Sequence, residues 1–85
     1  MKSFNYTIKD AQGIHARPAG VLVKEAGSFK SDITIEKDGK KADAKRIFAV
    51  MGLGVKSGET ITVNIEGEDE DKAASSLQEF LQNNL

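Results

Sequence analysis

Alternating apolar and polar residues at the start of the chain are typical of a half-buried β-strand. Phe4, Tyr6 and Ile8 alternate with polar neighbours, so we expect one side of this segment to face a core. Apolar residues then recur at intervals of three and four, which predicts a helix over residues 16–26, with Gly27 placed to end it. The polar stretch between the two patterns is expected to be a loop.

The alternation returns in the middle of the chain. Residues 33–35 and 42–44 have the period of two that predicts short strands. Asp38 and Gly39 lie between them, and this pair tolerates the positive φ angles that a two-residue hairpin turn requires. The sequence therefore predicts a hairpin formed by the second and third strands.

The last part of the chain contains a short apolar segment, a strand and a helix. Residues 47–53 are too few and too crowded with apolar side chains for an ordinary surface helix, so we predict a short helix with an exposed apolar side. Residues 61–65 alternate and predict a fourth strand. A final helix is expected to start among Asp69, Glu70 and Asp71, where carboxylates favour the positive end of the helix dipole.

The resulting order, β-α-β-β-α-β-α, predicts a two-layer α+β domain in which helices cover one face of a sheet. The 85 residues fit a single domain, residues 1–85. With 39% hydrophobic and 29% charged residues and no Cys, stability is expected to come from packing. No apolar run has the length of a membrane span or the character of a signal peptide, so we expect a cytoplasmic protein.

Charge is nearly balanced overall but uneven along the chain. The net charge of −1 argues against a general nucleic-acid binder, which depends on many cations that neutralise phosphates. Basic residues are concentrated within 37–46 and acidic residues within 66–71. These clusters are either two solvated surface regions or a local field that steers an acidic partner, and the sequence leaves both open.

The residues from Gly13 to Ala19 join the first loop to the first helix. Pro18 is compatible with the first turn of a helix, which places His15 at or next to the N-cap. A helix start binds anions through its unpaired N–H groups and its dipole, and a neutral imidazole is a nucleophile near pH 7. Arg17 adds donors that match phosphate geometry, and Gly13 allows a close approach or a positive φ. On chemistry alone, a capping, surface or packed histidine remains open, whereas a metal site or a Ser-His-Asp hydrolase lacks the necessary partners.

These seven residues, 13–19, resemble the active-site signature of HPr, the family of histidine-containing phosphocarriers of the phosphoenolpyruvate-dependent sugar phosphotransferase system. Residues 45–54 are similar to the segment that opens the short second helix of this family. The chain length, the Asp38-Gly39 turn and the order of elements agree with the family over nearly the whole sequence.

The resemblance implies a fold and a chemistry. The fold is an open-faced β-sandwich, with four antiparallel strands and three helices on one face. His15 would be phosphorylated on its Nδ1 (pros) nitrogen by enzyme I, which uses phosphoenolpyruvate, and would donate the group to enzyme IIA proteins or domains for sugar uptake. Arg17 would contact the phosphoryl group, and the phosphate-binding residues would be Ala16, Arg17 and Pro18. Such a protein is a stoichiometric carrier and not an enzyme in the strict sense; we expect a monomer without cofactor, metal, nucleic acid or membrane insertion.

The family also implies where partners bind, namely on the first helix and the short second helix. The expected docking residues are Gly20, Arg46, Ile47, Phe48 and Met51. A role in the core is the alternative for the apolar members and for Leu53. We predict that Ile47, Phe48 and Met51 are at least partly exposed and that Val50 points inward.

Two residues depart from the family pattern. Many members carry a serine after the lysine that opens the second helix, and an ATP-dependent kinase phosphorylates it; this chain has Arg46, so we expect neither that phosphorylation nor the corepressor binding that depends on it. Gly20 replaces a commonly larger residue and weakens the helix by about 1 kcal/mol relative to Ala. Two other interpretations stay open: a regulatory member with partners outside sugar uptake, and a protein-binding module without chemistry.

Overall fold

Four strands and three helices follow one another in the predicted order in the computed structural model, which describes residues 1–85. The elements are β1 (Lys2–Thr7), α1 (Ala16–Gly27), β2 (Asp32–Lys37), β3 (Lys40–Asp43), α2 (Ile47–Gly52), β4 (Thr60–Glu66) and α3 (Glu70–Asn84). None of the helices combines the length and apolar character that crossing a membrane requires.

The four strands form a single antiparallel sheet in the order β1-β4-β2-β3. Alternate residues of the two central strands point to one face, where they are at most 2% exposed: Ile33, Ile35, Ile61, Val63 and Ile65. All three helices contribute buried side chains to the same core. The opposite face is polar and uncovered. The predicted open-faced α+β sandwich is confirmed.

The uncovered face is lined by short polar side chains that pair across strands. Ser3 Oγ donates to Asn64 Oδ1 at 3.0 Å, and Thr62 Oγ1 donates to Asn5 Oδ1 at 2.8 Å. These side chains satisfy one another, which allows the sheet to remain open to solvent on this side.

The predicted hairpin turn is confirmed. Asp38 and Gly39 both have positive φ, 50° and 82°, and Lys37 pairs directly with Lys40. Positive φ at both central residues is the geometry that matches the twist of a two-stranded ribbon.

Element ends differ from the prediction in two places. Gly27 is the last residue of α1 and not a stop beyond it; the helix ends at Ser28, whose hydroxyl donates to the Glu25 carbonyl oxygen at 2.7 Å. Ala44 lies beyond the end of β3, although its N–H still donates to the Ile33 carbonyl oxygen at 2.9 Å. The Ser28 hydroxyl thus binds the last turn of α1, whereas hydrogen bonding to β2 continues one residue beyond the end of β3.

The basic cluster is only partly a solvated surface. Lys37 Nζ lies 2.9 Å from Glu59 Oε1 and donates to the Gly54 carbonyl oxygen at 3.1 Å. Lys45 Nζ donates to the Phe29 carbonyl oxygen at 2.9 Å. Two of the five cations thus bind backbone carbonyl groups, and the other three are exposed.

In the acidic cluster, Asp69 connects the start of α3 to the residues that precede β2. Its carboxylate accepts the backbone N–H groups of Lys30 and Ser31, at 2.9 and 3.0 Å, and the Ser31 hydroxyl. These donors, the Ser31 hydroxyl foremost, lower the pKa of Asp69 to about 2. Asp69 is the N-cap residue of α3 but makes no capping bond, because its carboxylate is used in this contact.

Candidate functional site

The loop before α1 is fixed to the rest of the protein through its backbone. Gly13 N–H donates to the Asp10 carbonyl oxygen at 2.9 Å, and Ile14 N–H donates to the Val55 carbonyl oxygen at 3.0 Å. Gly13 has a φ of 69°, and a Cβ there would overlap the Val55 carbonyl oxygen and lie 2.8 Å from Lys56 Cα. Both expectations for Gly13, a positive φ and a close backbone approach, are confirmed.

His15 is the N-cap residue of α1, as the position of Pro18 predicts. Its backbone is extended, with φ −100° and ψ −179°, and its side chain makes no capping hydrogen bond. Its carbonyl oxygen accepts the Ala19 N–H at 3.0 Å, which begins the helix. The imidazole is 36% exposed, so the ring is neither used as a cap nor packed in the core.

The first turn of α1 presents free backbone donors beside this ring. The N–H groups of Ala16 and Arg17 have no protein acceptor, and Pro18 has no N–H to offer. The positive end of the helix dipole lies at the same place. This is the arrangement that favours an anion at a helix start.

A shallow depression of about 230 Å³ joins the site residues. It is lined by Asp10, His15, Arg17, Pro18, Val21 and Asn84. His15 and Arg17 therefore share one surface, as expected. Sequence reasoning missed the other contributors: Val21 is an apolar residue 49% exposed on α1, and Asn84 comes from the last turn of α3.

A carboxylate lies next to the imidazole, which sequence reasoning did not anticipate. Asp10 Oδ2 is 3.5 Å from His15 Nε2, and Asp10 Oδ1 accepts the Gln12 N–H at 2.9 Å. The Gln12 donor is the main cause, and His15 a smaller one, of the lowered pKa of Asp10. An aspartate side chain commonly accepts the N–H of the residue two positions later and so forms a turn. The segment Asp10-Ala-Gln-Gly has this pattern, which could have indicated a turn at Asp10 just before His15.

The predicted docking residues lie on neighbouring faces of α1 and α2. Phe48 is 86% exposed and Met51 38%, whereas Val50 is fully buried, as predicted. Ile47 is half-buried beside α1. Its Cδ1 lies 3.7 Å from the position that a Cβ on Gly20 would occupy. Arg46 is the exposed N-cap residue of α2. Leu53 is buried and belongs to the core rather than to this surface.

Comparison with known proteins agrees with this architecture. A family model described as the PTS HPr component phosphorylation site matches residues 2–83. The chain is 46% identical to the phosphocarrier protein HPr of Lysinibacillus sphaericus over 81 residues, which are 95% of this chain and 92% of that protein. It is 48% identical to the HPr-like protein Crh of Halalkalibacterium halodurans over 75 residues, 88% of this chain and 89% of that protein.

The likeness extends to three dimensions. The crystal structure of HPr-C-His from Thermoanaerobacter tengcongensis superposes with a TM-score of 0.94 at 40% identity, covering 99% of this chain and 94% of that one. The α+β domain with a histidine at the start of its first helix is thus a phosphocarrier protein and not an enzyme. The chain belongs to the HPr family of the phosphotransferase system.

Proposed function

We propose that His15 accepts a phosphoryl group on Nδ1 from enzyme I, which takes it from phosphoenolpyruvate, and passes it in the cytoplasm to enzyme IIA proteins for sugar uptake. The observation that carries this proposal is the partly exposed imidazole of His15 at the start of α1, which lines the same depression as Arg17. A neutral imidazole that is neither capping a helix nor packed is available as a nucleophile.

The surroundings of His15 suit a transient phosphoryl group. The free N–H groups of Ala16 and Arg17 and the guanidinium of Arg17 supply donors for its oxygens. Pro18 shapes the turn and forms one wall of the depression without donating. Because the site is open and Arg17 is exposed, the phosphoryl group remains accessible to the next protein.

Partners are proposed to bind over α1 and α2. The exposed Phe48 and Met51, with Ile47 and Gly20 between the helices, provide an apolar surface that continues toward the depression through Val21. Exposed apolar residues of this kind, surrounded by polar ones, are typical of surfaces that bind other proteins transiently. Arg46 adds a permanent positive charge at the edge of this surface, which suits an acidic partner.

Incubation with enzyme I and labelled phosphoenolpyruvate tests the proposal. We expect one acid-labile, base-stable label per chain, located on Nδ1 by NMR of the phosphorylated protein. His15→Ala should carry no label, and Arg17→Ala should be labelled more slowly because the phosphoryl oxygens lose a charged donor. An intact, folded wild-type protein that takes up no label would overturn the proposal.

A regulatory role is the second candidate, and the 48% identity to an HPr-like protein Crh favours it. The chemistry at His15 would be shared, and only the recipients of the phosphoryl group would differ. Transfer from the labelled protein to enzyme IIA separates the two: rapid transfer supports sugar uptake, and a stable label in the presence of enzyme IIA supports the regulatory role. Arg46 cannot accept a phosphoryl group as a serine does, so incubation with the kinase and ATP should label no serine.

A further inference from the structure

Asp10 is held in place by three hydrogen bonds that do not involve His15. Its N–H donates to the Leu85 carbonyl oxygen at 3.0 Å, its carbonyl oxygen accepts the Gly13 N–H at 2.9 Å, and its Oδ1 accepts the Gln12 N–H at 2.9 Å. The remaining oxygen, Oδ2, is the one that faces His15 Nε2 at 3.5 Å. Asp10 is therefore held by its own loop and by the end of α3, independently of the imidazole.

An ionised carboxylate can only accept hydrogen bonds, and this determines which tautomer of the neighbouring imidazole it favours. A neutral imidazole carries one proton, on either Nδ1 or Nε2. A carboxylate beside Nε2 favours the tautomer with the proton on Nε2, which leaves the lone pair on Nδ1. The Gln12 N–H keeps the pKa of Asp10 low, so that the carboxylate is charged at neutral pH.

We propose that Asp10 is a positioning residue for phosphoryl transfer: it holds the Nε2 proton of His15, directs the lone pair of Nδ1 toward the phosphorus, and compensates the charge of the phosphorylated ring. This inference deepens the proposed function and rests on it. The separation of 3.5 Å is long for a hydrogen bond, and such contacts commonly shorten when the reacting group is bound.

The transfer of the phosphoryl group to Nδ1 requires no proton to move. The Nδ1 lone pair forms the bond to phosphorus, the bond between phosphorus and the donor atom breaks, and its electron pair leaves with the donor. The ring then carries a phosphoryl group on Nδ1 and a proton on Nε2, and is an imidazolium. Asp10 and Arg17 are the charged groups that line the depression with His15: the carboxylate stabilises the ring, and the guanidinium stabilises the phosphoryl oxygens.

The alternative is that Asp10 serves only to form the turn with Gln12. Asp10→Asn distinguishes the two roles, because an asparagine oxygen still accepts the Gln12 N–H. Its amide group, however, presents donors to Nε2 and carries no charge. The variant therefore keeps the turn, favours the tautomer with the proton on Nδ1, and removes the compensating charge. Asp32→Asn is the matched control, since Asp32 is exposed on β2 and makes no side-chain hydrogen bond or ion pair.

The first measurement uses the unphosphorylated protein and is independent of any partner. Nitrogen-15 NMR of the imidazole reports which nitrogen carries the proton. We expect Nε2–H in the wild type and in the Asp32→Asn control, and a larger share of Nδ1–H in Asp10→Asn. A wild type in which Nδ1–H predominates would overturn the inference, even where Asp10→Asn fails to fold.

The second measurement is the rate of phosphorylation by enzyme I. We expect Asp10→Asn to be slower by roughly two- to fivefold, the range for a charge contact at a partly exposed site. This ratio should shrink at high salt, which screens exposed charges and would not alter a purely structural role. A folded Asp10→Asn with wild-type tautomer and rate refutes the role of Asp10. An unlabelled wild type refutes the proposed function instead.

Discussion

Replacing Gly13 by alanine should destabilise the protein strongly, because the backbone has a positive φ there and the added methyl group meets backbone atoms of a neighbouring segment. The φ of 69° costs a non-glycine residue about 1–2 kcal/mol. The new Cβ would overlap the Val55 carbonyl oxygen and meet Lys56 Cα at 2.8 Å, so the loop must move away from backbone atoms. That movement breaks the bond from Ile14 N–H to Val55 in a buried region, at a cost of about 1–3 kcal/mol.

These costs are partly offset, because alanine lowers the entropy of the unfolded chain by the equivalent of about 0.4–1 kcal/mol. The net loss in the free energy of unfolding is about 2–4 kcal/mol, a large part of the stability of a domain of this size. Urea unfolding followed by circular dichroism measures it. Gly39→Ala is the matched control, since φ is 82° there but nothing lies within 4 Å of the added Cβ; it should cost about 1 kcal/mol. Equal losses in the two variants would refute the argument from the Val55 contact.

Two further predictions concern acid stability and docking. The pKa of Asp69 is lowered to about 2, so its contacts stabilise the fold above the ordinary carboxylate range near pH 4 and are lost as the pH falls toward 2; urea midpoints measured from pH 5 to pH 2 should fall less steeply in Asp69→Asn than in the wild type, and identical slopes would contradict this. Phe48→Ala should leave the urea midpoint nearly unchanged, because the side chain is 86% exposed, but should raise the KM of enzyme I for this protein about fivefold or more, as for an aromatic residue at the centre of an interface. Thr62→Ala, on the uncovered face of the sheet, should leave that KM unchanged, although it loses the hydrogen bond to Asn5.

The elements that the sequence predicted well are those that local chemistry determines. The Asp38-Gly39 turn follows from the φ angles that these two residues tolerate, and both angles are positive in the structure. The helical spacing of residues 47–53 places Val50 and Phe48 on opposite sides, and their exposures are 0% and 86%. Pro18 fixed the register of α1 and hence the place of His15 at its N-cap.

The features that the sequence did not reveal depend on residues distant along the chain. The strand order β1-β4-β2-β3 places the last strand between two earlier ones, and alternation within a strand carries no information about its neighbours. The use of Lys45 and Asp69 to bind backbone groups near the end of α1 is equally invisible from charge alone. Gly27 was misplaced because a Ser28 hydroxyl can end a helix without a glycine of positive φ.

The orientation of His15 is the clearest case in which tertiary structure decides chemistry. The loop before α1 has local hydrogen bonds from Gln12 and Gly13 to Asp10, but distant residues fix its place in the fold. Val55 accepts the Ile14 N–H, and the Leu85 carbonyl oxygen accepts the N–H groups of Lys9 and Asp10 at 2.6 and 3.0 Å. The second contact brings the end of α3, and with it Asn84, to the rim of the site. Because the same contact also anchors the backbone of Asp10, the packing of α3 helps to set which nitrogen of the imidazole the carboxylate faces. The reactivity that we propose for His15 therefore depends on the whole fold, although the residue itself is recognisable from a seven-residue motif.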